Sequence, residues 1–340
     1  MKKKKIRIAA ATTTCYFDCR FSYLRKLVPI DRTIIVTDQH VYKSHTSLFK
    51  GWNTIVLKPG EAYKIQPTVD AVIEQLVHMK ADRHTWLVGV GGGVITDLTG
   101  YIGSIYMRGI SVGFVPTTLL AMVDAAIGGK NGVDHLKYKN LVGTIRQPSF
   151  LLYDTSFLKT LPDTEWKNGL AEIIKHAVCF KPALFRELEK NSLGFYRKNK
   201  QALNKLIEKN VMLKFSIVQE DETEQGLRRL LNFGHTLGHA IEMIYTVSHG
   251  EAISLGMVVA ARLSTKLNGF KDAARLQQLL AKYGLPTQAA FDLDKLMQVM
   301  EMDKKKAGKL VQYILLKQIG LAAPQPLSFP VIRNLLNQLP

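Results

Sequence analysis

The sequence predicts two domains: an α/β domain with a parallel sheet over residues 1–162, then a mainly α-helical domain over 163–340. Three observations predict it. Short β-branched runs alternate with helically spaced segments up to about residue 150. Long helical patterns replace that alternation after residue 163. A length of 340 residues is enough for two domains of ordinary size.

Taken in order, RTIIVTD (32–38) and WNTIVL (52–57) read as strands, and TVDAVIEQLVHMK (68–80) has helical spacing. TWLVGVGGG (85–93) is an apolar strand running into glycines, ITDLTGYIGSIY (95–106) the helix after it, and ISVGFVPTT (110–118) another buried strand. Such alternation implies a parallel sheet covered by helices. Beyond residue 163, TEWKNGLAEIIKHAVCF, ALNKLIEKNVMLKFSIVQEDE, RRLLNFGHTLGHAIE, GEAISLGMVVAARLSTKLNG and DAARLQQLLAKYGLP all read as helices. Residues 309–320 (KLVQYILLKQIG) fit a strand pair or a helix equally by periodicity. A cleft between two such domains is a common place for a ligand site.

Composition narrows the function classes. Hydrophobic content of 46% and charged content of 22% are ordinary for a globular chain, and no apolar run approaches the ~18 residues of a membrane span. The start, MKKKKIRIAAATTTCYFDCRF, is too polar after its basic residues for a signal peptide, so a cytoplasmic protein is expected. Three cysteines, Cys15, Cys19 and Cys179, argue against a disulfide framework and for a reducing compartment. The net charge of +18 suits an anionic partner. Its basic residues are dispersed, however, and the dense runs MKKKK and DKKKAGK lack interleaved aromatics. A solvated basic surface is expected, with neither nucleic acid nor membrane as partner.

Several stretches suggest ligand chemistry. GVGGGVITD (89–97) puts three glycines between a strand and a helix, where backbone can approach a diphosphate and the helix N-terminus favours the anion. It is not the G-x-G-x-x-G fingerprint, and a tight turn without a ligand would look the same. PTTLLAMVDAAIGGKNGVDHLKYKN (116–140) gathers a Thr pair, Asp124, Lys130, Lys139 and Asn140 around a glycine turn, which suits a polar anionic ligand.

The clearest signal is RRLLNFGHTLGHAIE (228–242). Read as a helix at about 100° per residue, it brings Arg228, Asn232, His235, His239 and Glu242 within roughly 80° of one another on an otherwise apolar surface. Upstream, GLAEIIKHAV places Glu172, Lys175 and His176 on one face of another apolar helix, and His249 precedes a further helix in SHGEAISLG. A carboxylate in such a helix needs a partner. One carboxylate and two imidazoles make a zinc-type donor set with open positions. H-E-x-x-H is absent, so a zinc protease is not indicated. Spacing leaves His235 and His239 equal as candidate ligands.

GGGVITD, PTTLLAMVDAAIGGKNGVDHLKYKN, LPDTEWKNGLAEIIKH, LLNFGHTLGHAIE, HGEAISLGMV and DKK occur in that order. Together they closely resemble the 3-dehydroquinate synthases of the sugar phosphate cyclase superfamily, over about residues 31–320. The resemblance implies a Rossmann-like N-terminal domain, a helical C-terminal domain, a homodimer, NAD and a divalent metal, zinc or cobalt. It implies conversion of 3-deoxy-D-arabino-heptulosonate 7-phosphate into 3-dehydroquinate and phosphate in the shikimate pathway.

By motif, it makes Glu172, His235 and His249 the metal ligands. It places NAD against Asp38, near the adenine end, and against Pro59, Gly60, Glu61, Ala62, Tyr63 and Lys64. Further NAD contacts fall on Gly93, Val94, Ile95, Thr96 and Asp97, on Thr117, Thr118, Lys130 and Lys139, and on Phe157, Leu158, Lys159 and Thr160. Lys130, Lys175, Lys214, Arg228, Asn232 and His239 are implied as catalytic, with His239 relaying the proton from the oxidised hydroxyl. Asp124, Asn140, Lys304 and Lys305 would surround the substrate, and Arg108 would reach its phosphate across a dimer interface. Glu242 receives no role.

The sequence departs from the family at His176–Ala177, where Tyr-Gly is frequent, and at Thr96, where glycine is common. Two enzymatic rivals are another sugar phosphate cyclase and a metal-dependent polyol dehydrogenase. A non-catalytic basic module is a third, and it would have no need of Glu172, the histidines and the lysines together.

Overall fold

The computed structural model describes residues 1–136, 138–304 and 310–338. The chain forms two compact units, Met1–Pro162 with Gln201–Thr223, and Asp163–Lys200 with Glu224–Pro340.

In the first unit, β1 (Lys2–Ile8) and β2 (Ala11–Phe17) form an antiparallel hairpin. Then follow β3 (Thr33–Asp38), α1 (Gln39–Ser44), β4 (Asn53–Leu57), α2 (Gln66–His78), β5 (Trp86–Gly91), α3 (Gly93–Ile105) and β6 (Ser111–Pro116). A second hairpin, β7 (Lys130–His135) with β8 (Tyr138–Ile145), precedes β9 (Phe150–Leu152). The main sheet has the order β1-β2-β9-β6-β5-β3-β4, parallel throughout except for the β1–β2 pair. This is the expected Rossmann-like arrangement.

Burial explains why its central strands are continuous apolar runs. Along β3, Ile34 and Val36 enter one core with Val72, Leu76, Leu98 and Ile102 of α2 and α3. Ile35 enters the opposite core with Leu24, Val88, Val115 and Leu152. Both faces are covered, so the strand lacks the polar-out alternation of a half-exposed strand.

The lysines of MKKKK lie on an edge strand, β1. Lys2, Lys3 and Lys5 are exposed along β1 while Ile6 and Ile8 point inward. Lysines on an edge oppose pairing with another chain. The period-two pattern of Ile6, Arg7 and Ile8 was the available sign of a strand. The three cysteines are buried free thiols, and burial pushes the Cys15 thiol up to about 12. Among the described residues, no helix is long and apolar enough to cross a membrane.

The second unit contains α4 (Asp163–Phe180), α5 (Pro182–Lys190) and α6 (Leu193–Lys198). After α7 (Lys200–Glu220) come α8 (His235–Ile244), α9 (His249–Asn268), α10 (Ala273–Lys282) and α11 (Leu293–Lys304). The unit ends in a hairpin, β10 (Leu310–Gln318) with β11 (Leu321–Ser328), and α12 (Phe329–Asn337). Of the two readings of 309–320, the described part is therefore a strand.

Two differences from the sequence reading bear on function. Most of α7, expected within the second domain, belongs to the first unit. Asn204 accepts a hydrogen bond from Thr155 at 3.0 Å, Glu208 pairs with Lys4 at 3.0 Å, and Gln219 donates to the Arg7 carbonyl at 2.8 Å. These polar contacts bind one face of α7 to that unit, which its helical periodicity does not reveal.

Second, residues 228–242 are not one helix. A 3-10 turn covers Leu227–Asn232, the chain breaks at Gly234 with φ of 79°, and α8 begins at His235. Gly234 supplies the left-handed backbone that other residues resist, and its carbonyl lies where a Cβ on Gly256 of α9 would be. The break thus lets α8 and α9 pack with backbones nearly touching. Gly256→Ala should cost about 1–3 kcal/mol through overpacking and lower the melting temperature by several degrees in scanning calorimetry. An unchanged melting temperature would show that the contact relaxes freely.

Candidate active site

The second unit buries its charges around Glu172. Helix α4 carries this residue in a face so apolar that the carboxylate is fully buried. An isolated buried carboxylate would be strongly unfavourable, and here it is surrounded by cations and ring nitrogens. Lys175, one turn on and equally buried, forms an ion pair with Oε2. Oε1 faces His249 Nε2 at 3.1 Å and His235 Nε2 at 3.5 Å. One donor atom from each of Glu172, His235 and His249 lies within 4.8 Å of the other two, a group able to hold a metal ion. One carboxylate and two imidazoles suit a divalent metal with positions left for water or substrate.

Local structure aims both rings. His235 is the first residue of α8, fixed by the Gly234 turn, and its Nδ1 faces the Phe233 carbonyl at 3.2 Å. A carbonyl can only accept, so a ring that binds a metal through Nε2 has an acceptor for its remaining proton at Nδ1. His249 is the first residue of α9, behind a capping box in which the Ser248 N–H donates to Glu251 Oε2 at 2.9 Å. Asn168, one turn before Glu172 on α4, accepts the next backbone N–H, that of Gly250, at 2.7 Å. A Cβ on Gly250 would lie 2.7 Å from the Asn168 Cα, so glycine there permits the close crossing of α4 and α9. His249 Nδ1 lies 3.7 Å from Glu242 Oε2.

Electrostatics follow from that geometry. Burial pushes the Glu172 carboxyl up, but Lys175 and the two imidazoles outweigh it and hold the group well below the usual carboxylate range. Burial and then Lys175 lower the pKa of His235. Burial also pulls His249 down, yet the Glu172 and Glu242 carboxylates more than compensate and lift it to about 9.

Beside this group is a cavity of about 310 Å³ whose lining includes Asn232, His235, His239, Glu224, Arg229 and Gln312. The His235 and His239 rings are 5.1 Å apart, edge to face. Asn232 donates to Glu224 Oε1 at 2.6 Å, and Arg228 is buried. Three of the five stripe residues, Asn232, His235 and His239, line this cavity from the turn and α8, while Glu242 faces His249. Glu224 could not be singled out from DETEQG, where it resembles any surface acid. Lys304 ends α11, and Lys305 lies outside the described residues.

The first unit brings together two polar groups. At the end of β5, α3 starts behind Gly92 with no side-chain cap and no acid in its first turn, which leaves its backbone N–H groups for an anion. One turn in, Asp97 pairs with buried Lys64 at 2.5 Å, and Lys64 also donates to Asn140 Oδ1 at 2.5 Å. Burial pulls the Lys64 ammonium down, and the Asp97 and Glu61 carboxylates outweigh that and hold it above its ordinary value. Asn140, expected among substrate residues, thus shares a cluster with residues expected at NAD. The other group is Lys214 of α7, which donates to Asp124 Oδ1 at 2.5 Å and to its carbonyl at 2.8 Å.

The remaining positions are spread along the same unit. Lys130 and Lys139 are exposed on β7 and β8. Thr117 is buried, and Thr118 Oγ1 accepts the Ala121 N–H at 3.1 Å. Pro59 to Tyr63 form the turn after β4, where Gly60 has φ of 105°. Asp38 caps α1, accepting from the His40 and Val41 N–H groups at 2.8 and 3.0 Å. Phe157 and Thr160 meet His45, which sequence reasoning missed: its Nε2 lies 3.1 Å from Thr160 Oγ1 and its ring stands edge-on to Phe157. Arg108 is exposed on the turn after α3.

Comparison with known proteins places these features in one family. Residues 54–168 match the family model for the 3-dehydroquinate synthase N-terminal region, and residues 169–306 match its C-terminal counterpart. The chain is 40% identical to a 3-dehydroquinate synthase of Dehalococcoides mccartyi (strain CBDB1), over 88% of this chain and 87% of the relative. Among solved structures, it is similar to 2-deoxy-scyllo-inosose synthase complexed with carbaglucose-6-phosphate, NAD+ and Co2+. That likeness has 26% identity and a TM-score of 0.85, and covers 99% of each chain. It is also similar to 2-epi-5-epi-valiolone synthase of Streptomyces hygroscopicus subsp. jinggangensis 5008 with NAD+ and Zn2+ bound. There the identity is 25% and the TM-score 0.85, over 99% of this chain and 98% of the other. Two matching family models and a relative at 40% identity over most of both chains lead to one conclusion: the chain belongs to the 3-dehydroquinate synthase family.

Proposed function

We propose that the protein converts 3-deoxy-D-arabino-heptulosonate 7-phosphate into 3-dehydroquinate and phosphate, using NAD and a divalent metal, zinc or cobalt. The observation that carries this reading is the convergence of Glu172, His235 and His249 beside the cavity that Asn232 and His239 line. The 40% identity to 3-dehydroquinate synthases, against 25–26% to the two other cyclases, favours this sugar acid as substrate.

The residues fit both groups. The donor set around Glu172 is that of a catalytic divalent metal. The uncapped start of α3, and the open space where a Cβ on Gly60 would project, suit a dinucleotide diphosphate. When bound, the metal polarises a hydroxyl and the ketone it becomes, and NAD accepts and returns a hydride. Glu172, His235 and His249 hold the metal. Residues 59–64, 93–97, 117–118 and 157–160, with Asp38, Lys130 and Lys139, would hold NAD.

The overall sequence is oxidation of a substrate hydroxyl, elimination of phosphate, reduction of the ketone, ring opening and aldol closure. The oxidation and the reduction cancel, so a bound NAD would be restored in each turnover with no net NADH. His239, one turn from His235, takes the proton released by the hydroxyl. The leaving phosphate takes the proton during elimination. Arg228, Lys175, Lys214 and the Lys304–Lys305 pair balance the substrate's carboxylate and phosphate charges, with Asn232, Asp124 and Asn140 orienting its hydroxyls. The protein acts as a cytoplasmic homodimer, in which Arg108 reaches the phosphate in the partner subunit's site.

A coupled phosphate-release assay tests the activity. Release should require both NAD and metal, cease with chelator and leave no net NADH. Steady NADH accumulation would indicate a polyol dehydrogenase instead. Arg108→Ala should weaken binding of the substrate phosphate and leave NAD binding near normal. Equal loss of both in titration calorimetry would refute the role given to Arg108.

A further inference from the structure

Glu242 closes the polar face of α8. It follows His235 and His239 at i+7 and i+3, so all three side chains emerge on one side of the helix. The short link after α8 then returns the chain so that His249, at the start of α9, faces this same side. The His249 ring lies between carboxylates from two different helices: Nε2 is 3.1 Å from Glu172 Oε1, and Nδ1 is 3.7 Å from Glu242 Oε2. Both acids are largely removed from solvent, with Glu242's side chain only 15% exposed.

The two histidines solve one problem in different ways. A ring nitrogen can bind a metal only through its lone pair, so the ring proton must be held on the other nitrogen. For His235, the Phe233 carbonyl holds it. At His249, the acceptor facing Nδ1 is the Glu242 carboxylate, 3.7 Å away. An anion there also increases the ring's basicity toward a cation.

We propose that Glu242 is a positioning residue that orients His249, keeping the ring proton on Nδ1 and turning Nε2 toward the metal. The proposal rests on the reading that Glu172, His235 and His249 hold a divalent metal. It gives the last member of the polar stripe a function distinct from that of its neighbours. His235 binds, His239 carries a proton, and Glu242 acts through His249.

The test is zinc affinity, measured on the full-length protein without substrate by competition with a chromophoric chelator. It compares wild type, Glu242→Ala, Glu242→Gln and His249→Ala, with the melting temperature of each metal-free protein recorded alongside. Glu242→Ala should weaken zinc binding by about 10- to 100-fold, as loss of an outer partner of a metal-bound histidine does. Glu242→Gln should lose less, because its amide oxygen can still accept from Nδ1–H. Metal-free melting temperatures should match wild type for both. His249→Ala should lose zinc more severely than either.

Unchanged zinc affinity in Glu242→Ala, with His249→Ala defective, would overturn the positioning role and leave the metal site standing. Full zinc affinity in His249→Ala would overturn the ligand assignment and the proposal with it. A loss in Glu242→Ala that tracks a lowered metal-free melting temperature, without rescue by glutamine, would overturn the proposal in favour of a merely structural role.

Discussion

Burial of the Glu172 carboxylate is the constraint around which the second unit is organised. A charge without water must be matched by groups at short range, and each match fixes a piece of backbone. Lys175 supplies a counter-charge from the same helix. His235 and His249 supply ring nitrogens from the first residues of two other helices. The result is a set of donor atoms held at separations suited to a divalent cation.

Backbone contacts make that geometry reproducible. The Gly234 carbonyl against Gly256 brings α8 onto α9, and Gly250 against Asn168 brings α9 onto α4. A side chain at any of these glycines would push apart the helices that carry the three donors. Asn168 and Glu172, one turn apart on α4, divide the work: one accepts from the backbone beside His249, and the other faces its ring. In the first unit, charge pairing plays a comparable part. Lys64 joins Asp97 of α3 to Asn140 of β8, and Lys214 joins α7 to Asp124.

Much of this was legible in the sequence for specific reasons. β3, β5 and β6 are covered on both faces, so they appear as uninterrupted apolar runs, and α2 and α3 show helical periodicity between them. Glu172 stood out because a carboxylate contradicts its apolar surroundings. Other features leave weaker traces. The break at Gly234 was hidden because a 3-10 turn joined to a helix keeps nearly helical spacing. The choice between His235 and His239 was open because residues four apart share a face, and only the direction of each ring separates them. The placement of α7 depends on polar contacts formed across long sequence distances. Glu224 and His45 sit in segments whose composition is that of ordinary surface.

The account depends on Glu172, His235 and His249, and not His239, forming the metal's protein ligand set. X-ray absorption spectroscopy of the zinc-loaded protein without substrate tests this most directly. It should show two imidazole nitrogens and oxygen donors at about 2.0–2.2 Å, with the same two imidazoles in the His239→Ala variant. A third imidazole that disappears in that variant, or sulfur at about 2.3 Å, would contradict the account.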